Sequence, residues 1–86
     1  MNKVKKLEQL RKANRGLLEE LEEDCRAYAV SVSLLKEQRT GTKGYYSQLE
    51  VLQNTLVELR AKAKEADRSL KKEHKLGLKL AANQEK

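Results

Sequence analysis

The chain has no proline, phenylalanine or tryptophan, one histidine, one cysteine and, as its only aromatic residues, three tyrosines. Without bulky aromatic side chains, 86 residues can bury little, and one small domain is the upper bound. The absence of proline removes the commonest helix breaker over the full length. A lone cysteine excludes an intramolecular disulfide. Cys25 reads as a small thiol buried on a helix seam, opposite Leu59, in a reducing compartment. No apolar run approaches the roughly 20 residues that span a bilayer. Lys3, Lys5 and Lys6 are followed by Glu8, Gln9 and Arg11 where a secretory leader would turn apolar. Cytoplasmic or nuclear residence is the expectation.

What is present is periodicity. Before Thr40-Gly41-Thr42-Lys43-Gly44 an apolar stripe recurs at Val4, Leu7, Arg11, Asn14, Leu18, Leu21, Cys25, Tyr28, Val32 and Leu35. After it a second runs through Tyr45, Leu49, Leu52, Leu56, Leu59, Ala63, Ala66, Leu70, Glu73, Gly77 and Leu80. These 3-4 spacings each keep one stripe of a helix facing a partner. Folded back so that partner numbers sum to 84, the stripes match: Leu35 faces Leu49, Cys25 faces Leu59, Leu7 faces Gly77, and Arg11 faces Glu73. Flanking positions agree, with Glu8 against His74, Arg15 against Asp67, Glu22 against Arg60, Leu10 against Leu76 and Asp24 against Lys62. The rival arrangement is one continuous helix in a parallel dimer. It stacks Arg11 on Arg11 and Glu73 on Glu73, and places two glycines mid-helix at about 1 kcal/mol each. The expected fold is therefore all-α: two long helices in an antiparallel coiled-coil hairpin, able to complete its core by dimerising into a four-helix bundle.

The whole chain, residues 1–86, reads as a single hairpin. Helix 1 is expected over about 3–39, a turn over 40–44, helix 2 over about 43–82, and a frayed tail over 83–86. Gly41 suits the left-handed position past the first helix, and Thr42 can cap the second. Gly16 falls on the outer face. Gly77, facing Leu7 on the seam, predicts close approach of the helices near the open end.

Charge is uneven along such a rod. Residues 1–15 with 68–86 carry 12 Lys/Arg and 3 Asp/Glu, net +9, while residues 16–67 are net −3. The acidic run Glu19, Glu20, Glu22, Glu23 and Asp24 faces Arg60, Lys62 and Lys64 and complements its own partner helix. The basic end has no such internal complement. Lys3, Lys5, Lys6, Lys12, Lys71, Lys72, Lys75 and Lys79 form a cationic collar suited to phosphates or an acidic protein surface. No aromatic residue is interleaved with these lysines to stack on bases. Nearer the turn, Ala27, Val30, Leu34 and Val51 make an uncharged shelf with Ser31, Gln38, Gln48 and Thr55 between them, the kind of surface that accepts a partner helix. Arg11, Asn14 and Glu73 are the residues expected to set register at some expense of stability.

Nothing in the pattern carries catalysis. One His and one Cys, far apart along the rod, cannot converge on a cleft or supply a zinc set. Glu8 beside His74 reads as an ordinary flanking hydrogen bond. The Thr40–Gly44 segment lacks the spacing and preceding strand of a phosphate-binding loop. No cofactor and no enzymatic activity are expected. Helical hairpins of this length resemble, in outline, Rho-binding finger domains, secretion-ATPase stalk proteins and prefoldin arms, but none of their sequence signatures occurs here residue by residue, and outline alone implies no function. The sequence points to a non-catalytic protein–protein assembly module, a scaffold or adaptor whose partner is a second copy or another helical protein. The alternative is a nucleic-acid-associated protein using the basic end. Leu76 and Leu80 are committed to Leu10 and Val4, so a membrane surface is not the expected partner.

Overall fold

The chain reverses at Gly41, whose φ of 88° is a left-handed backbone conformation open to glycine at little strain. Thr42 fixes both sides of the reversal. Its hydroxyl donates to the Arg39 carbonyl at 2.7 Å and accepts from the Tyr45 amide at 3.2 Å, capping the second helix. The computed structural model describes residues 2–84, as two helices and the turn between them. Helix α1 spans Asn2–Glu37 and helix α2 spans Lys43–Gln84. They lie antiparallel in a rod 65 Å long and 16 × 15 Å across. Asn83 and Gln84, assigned above to a frayed tail, belong to α2; the rest of that tail, 85 and 86, lies outside the described residues.

The seam is not the expected stripe. One column of each helix is where the heptads put it: Leu7, Asn14, Leu21, Tyr28 and Leu35 on α1, with Tyr45, Leu52, Leu59, Ala66, Glu73 and Leu80 on α2. The second inner column is Leu10, Leu17, Asp24, Ser31 and Gln38, facing Gln48, Thr55, Lys62, Ser69 and Leu76. All of these second-column residues are buried or half-buried. Val4, Arg11, Leu18, Cys25, Leu56, Ala63 and Leu70, expected inside, are exposed. Both helices are therefore turned by about 50° about their axes, at 100° per residue, from the orientation their leucines suggest.

Axial register is close to the expectation. Partner numbers sum to 83 for Asn14 with Ser69, 86 for Asp24 with Lys62, and 87 for Asn14 with Glu73.

The physical reason for the turn lies in the polar residues. With the expected stripe inward, Arg11 and Glu73 would meet as a desolvated ion pair; the observed seating exposes Arg11, though it brings a half-buried pair of its own, Asp24 with Lys62, into the seam. In the observed seating Glu73 accepts a hydrogen bond from the neutral Asn14 amide at 2.9 Å, and Arg11 keeps its water. Of the second column's polar residues, Asp24 and Lys62 pair across the seam, whereas Gln48 Oε1 is buried without a hydrogen-bond partner among the described residues.

The resulting core is thin. Ala66, 3% exposed, is the only buried hydrophobic residue among those described; the other buried residues, Asn14 and Ser31, are polar. Each half-buried seam leucine contributes less than the roughly 1.5–3 kcal/mol of full burial. Gly77 is half-buried, but a Cβ added there would meet nothing within 4 Å, so no close helix approach depends on it.

Candidate interaction surfaces

Turning the helices gives the rod two unlike flanks. On the first lie the displaced residues Val4, Arg11, Leu18 and Cys25 of α1 with Leu56, Ala63 and Leu70 of α2, all exposed, while Val32 and Leu49 of the same columns stay half-buried near the turn. A groove on this side is lined by Arg11, Asn14, Arg15, Leu18, Leu70 and Glu73, which places the two leucines on one face. Leu18 is 44% exposed. Three of the flanking pairs anticipated above sit at the margin of this face and do not form within the hairpin. Glu22 instead pairs with Arg26 at 3.3 Å and Asp67 with Lys71 at 3.1 Å, each within its own helix.

The second flank combines the lysines and the shelf. Near the open end Leu10, Ala13 and Leu76 floor a groove walled by Lys6, Lys72, Lys75 and Lys79. So four of the eight collar lysines converge. Lys5 lines a depression with Asn2, Val4 and Glu8, and Lys12 one with Glu8, Arg11 and Arg15. Lys71 is held by Asp67, and Lys3 is exposed. The apolar floor under the lysines was hidden at the sequence level because Leu10 and Leu76 were treated as flanking residues. Closer to the turn, Ala27, Val30, Leu34 and Val51 all stand exposed, Val30 at 57%. Their uncharged neighbours Ser31, Gln38, Gln48 and Thr55 are seam residues, with the Thr55 hydroxyl donating to the Val51 carbonyl at 2.8 Å.

The register residues divide. Asn14 is 2% exposed; its Nδ2 donates to Glu73 Oε1 at 2.9 Å and to the Ser69 carbonyl at 3.3 Å, and its Oδ1 accepts from the Ser69 hydroxyl. Arg11 is exposed, and no ion pair joins it to Glu73 among the described residues. A pair that does cross the seam is Lys62 Nζ with Asp24 Oδ2 at 3.3 Å. Hydrogen bonding to Asp24 raises the Lys62 pKa, desolvation works against it, and the charges of Asp24, Glu20 and Glu58 add to the rise.

Cys25 is an exposed free thiol on the apolar flank, not a buried seam residue, because the turned helix carries its column outward. No three His, Cys, Asp or Glu side chains among the described residues converge as a metal-binding set. No helix among them is long and apolar enough to cross a membrane. No protein-family model, curated protein or solved structure matches the chain significantly.

Proposed function

We propose that the protein is a non-catalytic assembly module, a scaffold or adaptor whose helical hairpin completes its packing against helices of a partner. The supporting observation is the imbalance between core and surface. Among the described residues one hydrophobic side chain is buried, whereas Val4, Leu18, Val30, Leu34, Val51, Leu56, Val57 and Leu78 all remain exposed. So much exposed apolar surface over so thin a core suits helices that pack on a partner. On this reading Ala27, Val30, Leu34 and Val51 receive a partner helix, and the lysine groove receives acidic side chains of the same or another protein. Sedimentation equilibrium of the wild type and of Leu34→Glu/Val51→Glu, at two salt concentrations, tests it. Self-association lost in the double variant supports a scaffold that uses the shelf. A wild-type monomer that also retains no helical partner in a pull-down overturns the reading.

A second reading, phosphate binding to a nucleic acid, draws support from the convergence of Lys6, Lys72, Lys75 and Lys79 on one groove. It requires DNA or RNA binding that weakens steeply with salt. It also requires that binding vanish when Lys71, Lys72 and Lys75 are changed to Glu. Partner-helix binding that survives those changes but fails in Leu34→Glu favours the first reading.

A further inference from the structure

We propose that a second copy of this chain docks on the Leu18/Leu70 flank, with the two turns at the same end of the assembly, to form a four-helix bundle. This rests on the assembly reading and names its partner and its face, which is the flank opposite the shelf.

The first argument is the composition of the flank. The contacts across the seam sum to between 83 and 87, and at that register the column Val4, Arg11, Leu18, Cys25 and Val32 runs beside Leu49, Leu56, Ala63, Leu70 and Gly77, with Leu18 and Leu70 lining one groove. Apart from Arg11, the residues of these two columns are apolar or small. A two-fold axis along the rod sets α1 of each copy against α2 of the other at equal heights. The Leu18 column of each copy then faces the Leu56–Leu70 column of the other. The stripe that the leucine heptads mark most strongly would point to the centre of the bundle. That accounts for its being apolar while lying outside the hairpin seam.

The second argument is charge complementarity. Bordering the stripe are Glu8, Arg15 and Glu22 on α1, and Arg60, Asp67 and His74 on α2. The pairs Glu8–His74, Arg15–Asp67 and Glu22–Arg60 each sum to 82, which at the helix rise sets them about 1.5–7.5 Å from level with the contacts across the seam, within reach of long charged side chains. Within one hairpin these pairs are not made, and Glu22 and Asp67 turn to neighbours on their own helices. Across the two-fold axis each pair meets, twice. Turned end for end, the second copy would set α1 on α1 and α2 on α2, and all three pairs would be lost. Complementary flanking charges are the device by which coiled helices select partner and orientation.

Sedimentation equilibrium in moderate salt, with circular dichroism on every sample, tests the proposal. The wild type is expected at twice the 9.9 kDa chain mass. Leu18→Glu/Leu56→Glu is expected to be monomeric, and Leu34→Glu/Val51→Glu to remain a dimer. Arg15→Asp and Asp67→Arg singly are expected to weaken the dimer about five- to ten-fold, the range for exposed ion pairs turned into like charges at two symmetric sites. Combined, they are expected to restore it. The charge variants decide the matter even if the glutamate pair unfolds the chain. A monomeric wild type, a dimer that survives Leu18→Glu/Leu56→Glu with helicity intact, or no recovery in the charge swap overturns the proposal. A dimer lost only in Leu34→Glu/Val51→Glu rejects this face while leaving the assembly reading standing. A monomer that still binds another helical protein rejects self-pairing alone.

Discussion

On the flank that carries Leu18, Leu56 and Leu70, apolar side chains follow one another at heptad spacing, with opposite charges along their margins. On the flank that carries Leu10 and Leu76, the apolar floor is walled by lysines at the open end and passes into the uncharged shelf of Val30, Leu34 and Val51 near the turn. Both flanks belong to the same two helices and border the same seam. The first is apolar along its length but for Arg11, as suits a rod packing on a similar rod. The second changes character halfway, as suits a partner with an acidic segment and an apolar one. What separates them is a rotation of about 50° about each helix axis, fixed by a few polar residues.

The largest effect is expected from breaking the seam on which both flanks depend. Ala66 sits in its tightest layer, and Ala66→Glu would insert an unpaired charge where an alanine is 3% exposed. A loss of about 3 kcal/mol is expected, from overpacking and desolvation together, read as the drop in the urea midpoint. Next comes Asn14→Ala, which strips the Ser69 hydroxyl and the Glu73 carboxylate of their partner. Groups left without a hydrogen bond at a half-buried site cost about 1–3 kcal/mol, so a melting midpoint lower by several degrees is expected. An unchanged midpoint would mean that Asn14 does not hold the rotation.

Gly77 sharpens the comparison in the opposite direction. Were it packed closely on Leu7, as the sequence suggests, an added methyl would clash and destabilise the rod. The structure leaves that space open, as it does at Gly16 on the outer face. Gly77→Ala and Gly16→Ala are therefore both expected to stabilise, by up to about 1 kcal/mol each, through better helix propensity. Gly41→Ala, at φ 88°, is expected to destabilise by about 1 kcal/mol. Thermal melts of the three variants check the set, and a loss at Gly77 would restore the original stripe.

The contrast between Gly41 and Gly77 shows what the sequence made legible. The turn is local chemistry: a glycine past one helix end and a threonine at the start of the next leave few alternatives. The antiparallel hairpin was legible too, because two 3-4 stripes separated by Thr40–Gly44 have few ways to meet. Rotation about the helix axis was not legible. Three adjacent columns on each helix are apolar or uncharged enough to face inward, and choosing the two with more leucine follows burial alone. The decision went instead to Arg11, Asn14, Ser69 and Glu73, whose hydrogen-bonding needs span both helices. The same error hid the surface. The heptad pattern assigns Leu18, Leu56 and Leu70 to the interior, which leaves no docking face on that side. A stripe three columns wide was the signal that would have found them.

The smallest expected effect concerns the Asp24–Lys62 pair, which marks the boundary between seam and flank at mid-rod. Hydrogen bonding to Asp24 raises the folded-state pKa of Lys62, so the folded chain holds that proton more tightly than the unfolded chain does. Its contribution to stability is then complete at neutral pH. It remains so up to the ordinary lysine range, near 10.4, and fades as pH rises through the folded-state value above it. Asp24→Asn removes the first cause of the shift and leaves the side chain's size unchanged. Over pH 7–9 the wild type is expected to be slightly more stable than the variant, with the gap narrowing above about pH 10.4. Urea midpoints of both proteins across that range measure the gap directly, and the other lysines and tyrosines cancel in the difference. A gap that stays constant through pH 11.5 would place Lys62 on the solvated flank, outside the seam.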